Sequence, residues 1–317
     1  MDATNPATAP RDPNRRKRAK RIGEATFQHR LEYVGVRVAG AILRTVPVAW
    51  TSAIMGAVLG AIMPRTSKHR QALDHLAFAM PELTEAEREA IARRMWRNLG
   101  RVAGESFQID RLVADTSRVD LPPDLDRFIA LWKGGAVNAS AHLGNWEIAG
   151  VLAKAADLPF AAIYQKLHNP FVETYLKGMR APAYPAGLYP KGPQLALTMV
   201  RLLRSGVPIG MAADFRELRG IPVRFFGQEA YATPFPAMLA RMTGRPLIAG
   251  AITRTEEVHF RVSLREIPVP HTDDRDADIA AATQALHDAF EEWIRAAPDQ
   301  WMWSHRKWAR KDKPKRG

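Results

Sequence analysis

The chain has 317 residues, of which 46% are hydrophobic, so it is long enough to bury a substantial core. It contains no cysteine, which excludes disulfides, cysteine-ligated zinc and thiol catalysis. Its formal net charge of +13 favours anionic partners such as nucleic acid, a phospholipid surface, a phosphorylated glycolipid or an acidic carrier protein.

Residues 1–30 predict a disordered basic arm, because they hold three prolines, few apolar groups and the basic run Arg15–Arg21. In isolation this arm could be a solubility tail or a nucleic-acid arm. Its position directly before an apolar segment instead favours a location near anionic lipid headgroups.

Residues 31–66 predict a pair of membrane-anchoring helices. The segment Thr45–Pro64 has 20 positions without a charged residue, enough for a helix to cross roughly 30 Å of hydrocarbon. Because Pro47, Thr51 and Ser52 dilute it, helices lying in one leaflet suit the pattern equally well. The alternative is a buried core helix pair, and a cleaved secretory signal is not expected.

Residues 67–125 predict a module of amphipathic helices. The segment Thr84–Glu87 is a capping box, and the helix after it carries Ile91, Met95 and Leu99 on one stripe.

Residues 126–270 alternate between short apolar runs and helical patterns, which predicts an α/β sandwich around a mixed, largely parallel sheet. The candidate strands are Ala136–Ser140, Phe160–Tyr164, Pro208–Ala212, Pro246–Ile252 and His259–Leu264. The candidate helices are Asn145–Ala156, Pro170–Met179, Pro193–Leu203 and Phe235–Met242. Residues 271–310 add a C-terminal helix, Asp276–Ala296, and a tryptophan-rich segment, and residues 311–317 form a basic tail.

The segment Asn138–Glu147 carries the candidate chemistry. His142 is expected on a strand-to-helix turn and Glu147 in the first helical turn, so that the imidazole and the carboxylate can meet. A carboxylate on one imidazole nitrogen lets the other take a proton from a hydroxyl near pH 7. Since there is no cysteine and no serine in a G-x-S-x-G setting, the activated hydroxyl is expected on the substrate. The alternative is a backbone-bonded histidine beside an exposed glutamate.

The block His142-Leu-Gly-Asn-Trp-Glu147 resembles the HX4(D/E) motif of bacterial lipid A biosynthesis acyltransferases, a branch of the lysophospholipid acyltransferase superfamily. Asp214, the segment Val223–Gly227, Thr233-Pro234 and the segment Gln300–Trp308 resemble later blocks of the family, in the same order. The likeness extends over roughly residues 30–310.

The resemblance implies that His142 is a general base, oriented by Glu147, with Asn145 at the substrate. Asp214 would position the acceptor or the region of His142; alternatively it caps a loop or pairs with Arg216 or Arg219. Arg180 would bind a phosphate or the developing oxyanion, and an ordinary surface arginine is the alternative.

In the family, the block containing Arg224, Phe225, Phe226 and Gly227 lines the site and the acyl channel, with nearby N–H groups available as an oxyanion hole. From sequence alone this block is equally a core strand edge. Tryptophans among cations, as in Gln300–Trp308, occur at membrane interfaces and in nucleic-acid platforms, and an interfacial or structural role is expected here. His305 is expected to be a packing residue.

The function implied is a membrane-associated O-acyltransferase at the cytoplasmic face of the inner membrane, with neither metal nor cofactor. Acyl carrier protein would donate the acyl thioester, and a 3-hydroxyacyl chain on a lipid A precursor would accept it. A lysophospholipid, an ornithine-type lipid or a glycolipid are alternative acceptors. The competing class is a non-enzymatic basic protein that binds membranes or nucleic acid.

Overall fold

The computed structural model describes residues 26–308, so most of the predicted basic arm and all of the basic tail lie outside the described residues. The first helix begins at Phe27 rather than near residue 31, because Thr26 and His29 form a capping box there. The α-helices are α1 (Phe27–Thr45), α2 (Val48–Ile62), α3 (Ser67–Ala79), α4 (Glu85–Ser106), α5 (Ile109–Ala114), α6 (Leu125–Lys133), α7 (Val151–Ala156), α8 (Pro170–Arg180), α9 (Leu195–Arg204), α10 (Phe235–Thr243) and α11 (Arg275–Ala296).

A seven-stranded sheet has the order β1-β9-β8-β2-β5-β3-β4, and a separate hairpin is formed by β6 and β7. The strands are β1 (Val119–Asp120), β2 (Val137–Gly144), β3 (Ala161–Tyr164), β4 (Gly187–Pro190), β5 (Ile209–Ala212), β6 (Ile221–Phe225), β7 (Gln228–Ala232), β8 (Leu247–Glu256) and β9 (His259–Ile267). Every pair in the sheet is parallel except β8 with β9. The expected mixed, largely parallel α/β sandwich is therefore confirmed.

Helices cover both faces of the sheet. Val137 and Ala139 of β2 join a core that includes Leu203 of α9 and Leu286 of α11. A second core on the opposite face combines β8 with helices α5 to α7, and its members include Leu112, Trp132, Leu152, Ile248 and Ile252. Burying both faces explains why the strands read as short continuous apolar runs.

The register between β2 and β5 decides where the site forms. These parallel neighbours pair Ser140 with Ala212. Residues that follow each strand at the same distance therefore emerge together at the carboxyl edge of the sheet, where ligands of α/β proteins bind.

Helix α2 buries small polar residues and exposes large apolar ones, which is the reverse of the usual pattern in soluble proteins. Its buried residues are Thr51, Ser52 and Gly56, which pack against α4, while Trp50 and Ile54 are exposed. Within residues 26–308, the stretch Val48–Arg65 is long and apolar enough to cross a membrane, judged by length and composition alone, and 17% of it is buried. The alternative of a buried core helix pair does not hold for this segment.

The tryptophans of the C-terminal segment are structural. Trp301, Trp303 and Trp308 are buried, and they pack against Phe225 and Phe226 at the tip of the β6–β7 hairpin. They belong to the core rather than to an interfacial belt.

Candidate active site

His142 and Asp214 form the centre of the site. His142 lies two residues beyond Ser140 on β2, and Asp214 lies two residues beyond Ala212 on β5, so the strand register brings them side by side. The imidazole Nδ1 lies 2.7 Å from Oδ1 of Asp214, and the backbone N–H of His142 donates to Oδ2 at 2.9 Å. One carboxylate therefore fixes both the ring and the backbone of the histidine.

Asp214 is fully buried, and its second oxygen also accepts a hydrogen bond from the indole Nε1 of Trp301 at 2.8 Å. Burial acts to raise the pKa of the Asp214 carboxyl, but the charge of His142 and the hydrogen bonds from His142 and Trp301 outweigh it. The pKa consequently lies below its usual value, and Asp214 is an anion at neutral pH.

An ionised carboxylate only accepts hydrogen bonds, so Nδ1 of His142 carries the hydrogen and Nε2 carries the lone pair in the neutral ring. The ring of Phe215 stacks on the imidazole at 3.8 Å with parallel planes, and Trp146 contacts it edge-on at 5.0 Å. Among residues 26–308, Nε2 has no hydrogen-bond partner, and 18% of the His142 side chain is exposed. The arrangement holds a basic nitrogen ready for an incoming proton.

Glu147 does not hydrogen-bond to His142 within the described residues. It lies on the 3₁₀ helix Trp146–Gly150, and its carboxylate pairs with the guanidinium of Arg180 at 2.7 Å. The expectation that Glu147 orients the imidazole is corrected: Asp214, from the neighbouring strand, contacts the ring. Glu147 instead fixes Arg180, the last residue of α8, and both side chains are partly exposed.

Asn145 supports the turn between them. Its side chain is fully buried, its Nδ2 donates to Glu105 at 2.7 Å, and its Oδ1 accepts the backbone N–H of Glu147. Because both ends of the amide are satisfied by the protein, these contacts assign Asn145 to the support of the turn rather than to the substrate.

A buried network anchors this turn to the helices. Glu105 of α4 is fully buried and accepts hydrogen bonds from both terminal nitrogens of Arg254, from Ser52 of α2 and from Asn145. Asn98 links the network to the backbone by donating to the carbonyl of Gly144. The negative charge of Glu105 is therefore fully paired, as a buried charge must be.

The residues predicted to line the acyl channel, Arg224–Gly227, lie next to the indole that binds Asp214. Phe225 and Phe226 are buried in the aromatic cluster, and Phe225 packs against Trp301, which donates to Asp214. Phe226 and Gly227 form the hairpin turn, with φ of 56° and 69°, as a two-residue type I′ turn requires. The Arg224 side chain is exposed, while its backbone pairs with Gln284.

A second buried pair lies in the same aromatic cluster. Lys307 is 1% exposed, and its Nζ lies 3.0 Å from Nε2 of His287 and 5.0 Å from the ring centroid of Phe225. Burial and the charge of Lys307 lower the pKa of His287 to about 3. His287 is thus a neutral acceptor, and its Nδ1–H donates to the carbonyl of Thr283.

Sequence reasoning missed Glu105, Arg254 and the stacking role of Phe215. One signal was available for Glu105: it lies three residues after Val102 and ten after Met95, on the apolar stripe of α4. A glutamate at a buried helix position indicates a paired charge. His305 is a packing residue as expected, since its ring stacks on Phe215 at 3.7 Å.

Comparison with known proteins shows a match to one protein family. The model of the family described as "Bacterial lipid A biosynthesis acyltransferase" matches residues 25–310. This match includes the whole sheet and the segment from His142 to Trp308.

The sequence identities to individual relatives are low. A phosphatidylinositol mannoside acyltransferase of Mycobacterium tuberculosis is 27% identical over 227 residues, 68% of this chain and 67% of the relative. That of Mycolicibacterium smegmatis is 28% identical over 228 residues, 68% of this chain and 69% of the relative. A lipid A biosynthesis lauroyltransferase of Escherichia coli is 25% identical over 264 residues, 80% of this chain and 83% of the relative.

Proposed function

Because the chain belongs to the bacterial lipid A biosynthesis acyltransferase family, and is therefore an acyltransferase, we propose that it moves a fatty acyl chain from an acyl thioester to a lipid hydroxyl. The acceptor is the hydroxyl of a 3-hydroxyacyl chain on a lipid A precursor. The observation that carries this proposal is the contact between His142 and Asp214 at the edge of the sheet, which leaves Nε2 of the imidazole without a hydrogen-bond partner among residues 26–308. Family membership argues against the competing class of a non-enzymatic nucleic-acid-binding protein.

In the proposed reaction, Nε2 of His142 removes the proton of the acceptor hydroxyl while the oxygen attacks the thioester carbonyl. Asp214 stabilises the imidazolium that forms and holds the ring in the required tautomer. Collapse of the tetrahedral intermediate breaks the carbon–sulfur bond, and the thiolate takes the proton from the imidazolium. The protein needs no nucleophile of its own, in keeping with the absence of cysteine.

Arg180 is the proposed hydrogen-bond donor to the reacting groups. Its Nε and one Nη bind Glu147, whose 3₁₀ helix follows the strand that carries His142, so the pair offsets the charge of Arg180 and fixes the direction of its remaining N–H groups. A guanidinium there suits the developing oxyanion or a phosphate of the acceptor. Glu147 acts through Arg180 as a positioning residue.

The proposed location is the cytoplasmic face of the inner membrane, with α1 and α2 in contact with lipid. The support is the inverted pattern of α2 and an exposed apolar stripe on α1 formed by Phe27, Leu31, Val34, Val38 and Ile42. Since Ser52 hydrogen-bonds to the buried Glu105, α2 is held against the protein on its polar side. This favours a helix lying in one leaflet over one that crosses the bilayer.

Acyl carrier protein is the proposed donor. The net charge of +13 suits an acidic carrier as well as a phosphorylated acceptor, and it raises the rate at which either is encountered.

A second acceptor is a mannoside hydroxyl of a glycolipid. Two of the relatives above are named as phosphatidylinositol mannoside acyltransferases, and the chemistry at His142 is the same for either alcohol.

The test is mass spectrometry of lipid extracts from cells that carry or lack the gene, with wild-type and His142→Ala proteins as complements. We expect lipid A in the deletion strain to lose the mass of one acyl chain, and only the wild-type gene to restore it. A loss of acyl mass confined to the mannosides would show that the second acceptor is the substrate. Unchanged lipid A and unchanged glycolipids would refute it.

A further inference from the structure

A cleft of about 610 Å³ lies between α1, α5 and α8, apart from His142. The polar side chains that line it are Tyr33, Arg37, Arg44, Asp110, Thr174 and Tyr175. Apolar lining comes from α8, through residues such as Phe171 and Met179. The cleft therefore combines cations, phenols and apolar surface.

The two arginines of the cleft differ in their partners. Arg44 forms a bidentate pair with Asp110, at 2.8 and 2.7 Å, so its charge is neutralised. Within residues 26–308, Arg37 forms no ion pair, and its Nη1 donates to the Tyr33 hydroxyl at 3.2 Å. Its guanidinium lies over the ring of Tyr175 at 5.1 Å. The cleft thus retains one positive charge, held between two tyrosines.

The position of Arg37 on α1 points to a lipid. Val34 and Val38, which are more than half exposed, flank it and belong to the exposed apolar stripe of the helix. A cation at the border of an apolar stripe is placed at the level of lipid headgroups when the stripe enters the bilayer.

We propose that this cleft binds the phosphate of an anionic phospholipid headgroup of the surrounding membrane. Arg37 donates two hydrogen bonds to the phosphate oxygens, and the hydroxyls of Tyr33 and Tyr175 donate to the remaining ones. The acyl chains of that lipid lie along the apolar stripe of α1. This inference rests on the proposed contact of α1 with the membrane, and it assigns a headgroup to that contact.

The lipid would also be coupled to the reaction site. Tyr175 and Arg180 lie on the same helix, α8, five residues apart, which is about 7.5 Å along the axis. A headgroup held by Tyr175 therefore stabilises the helix whose last residue binds Glu147.

The experiment is sedimentation of the full chain with vesicles of phosphatidylcholine alone or mixed with phosphatidylglycerol, at physiological salt. We expect tighter binding to the mixed vesicles, and a five- to tenfold loss of that binding in Arg37→Gln, with little change on phosphatidylcholine. Tyr175→Phe keeps the ring and removes the donor, and it should show a smaller loss in the same direction.

The matched control is Arg204→Gln. Arg204 is an exposed arginine of α9 outside the cleft, so this variant removes the same charge and should change binding less than twofold. Equal losses in Arg37→Gln and Arg204→Gln would attribute the effect to diffuse surface charge and overturn the proposal. Displacement from vesicles by millimolar glycerol phosphate would overturn it too, because the cleft would then take a free phosphate.

The assay separates the two proposals. Failure of the wild-type chain to prefer phosphatidylglycerol overturns the headgroup site and leaves acyl transfer in detergent-dispersed lipid unaffected. Loss of acyl transfer in that system, with preserved vesicle preference, would refute only the proposed reaction.

Discussion

Nδ1 of His142 and Oδ1 of Asp214 are 2.7 Å apart, although 72 residues separate them in the chain. The contact arises from the parallel register of β2 and β5, in which Ser140 pairs with Ala212 and the two side chains follow at the same distance. The geometry thus gives the imidazole a carboxylate partner that the HX4(D/E) block does not contain. Glu147, the acid of that block, binds Arg180 instead.

The substitution Asp214→Asn should reduce kcat by about 10³-fold, because an amide neither stabilises the imidazolium nor selects its tautomer. Glu147→Gln should cost less, about 10- to 100-fold in kcat, because Glu147 contacts Arg180 and not the imidazole. Steady-state kinetics measures both variants, and equal losses of kcat would contradict the assignment.

The substitution Glu105→Gln should destabilise the fold by about 3–5 kcal/mol, because Arg254 would lose its partner in a buried site. Urea unfolding followed by circular dichroism measures this. Glu292→Gln is the matched control, since Glu292 pairs with Arg265 at the surface and its loss should cost less than about 1 kcal/mol. Similar costs for the two variants would show that the buried network does not hold the turn.

Gly144→Ala should severely destabilise the protein. Gly144 has φ of 60°, and a Cβ there would lie 1.9 Å from the carbonyl oxygen of Ile252, which also accepts the N–H of Asn145. Gly35→Ala is the control: nothing lies within 4 Å of a Cβ at that position of α1, and removing a helical glycine should add about 0.5–1 kcal/mol. Thermal melts compare the two, and a tolerated Gly144→Ala would show that the turn can rearrange.

His287 should make stability depend on pH. Its folded-state pKa of about 3 lies below that of an exposed histidine, so the unfolded chain binds more protons between these values. Neutral, buried His287 therefore contributes to the free energy of unfolding at pH values above the unfolded-state pKa. This contribution decreases as the pH falls through that pKa, by about 2 kcal/mol from pH 7 to pH 5. His287→Gln keeps an acceptor for Lys307 and should lose this component of the slope in urea unfolding at several pH values. An unchanged slope would mean that His287 is not buried in its neutral form.

The sequence was sufficient to predict the central strands of the sheet and most of the helices that cover it, because these strands are apolar runs and these helices have clear apolar stripes. It missed β1 and β4 and did not pair β6 with β7. Val119–Asp120 has only two residues, Gly187–Pro190 is short and only half-buried, and the hairpin lies outside the sheet. Tertiary packing determines those pairings.

The partner of His142 depends on topology rather than on local spacing. Asp214 was expected near His142, but its contact with the ring requires β2 and β5 to be neighbours in one register. A single sequence gives strand positions and not strand order. For the same reason, the buried role of the tryptophans could not be distinguished from an interfacial one.

The proposed role of His142 as general base can be tested by single-turnover acyl transfer with purified protein, from an acyl thioester to a hydroxylated lipid A precursor, with His142→Gln beside the wild type. We expect rapid transfer by the wild type, no transfer to an acceptor that lacks the 3-hydroxyl, and a loss of at least about 10³-fold in His142→Gln. Transfer by the folded His142→Gln variant within tenfold of the wild-type rate would contradict it.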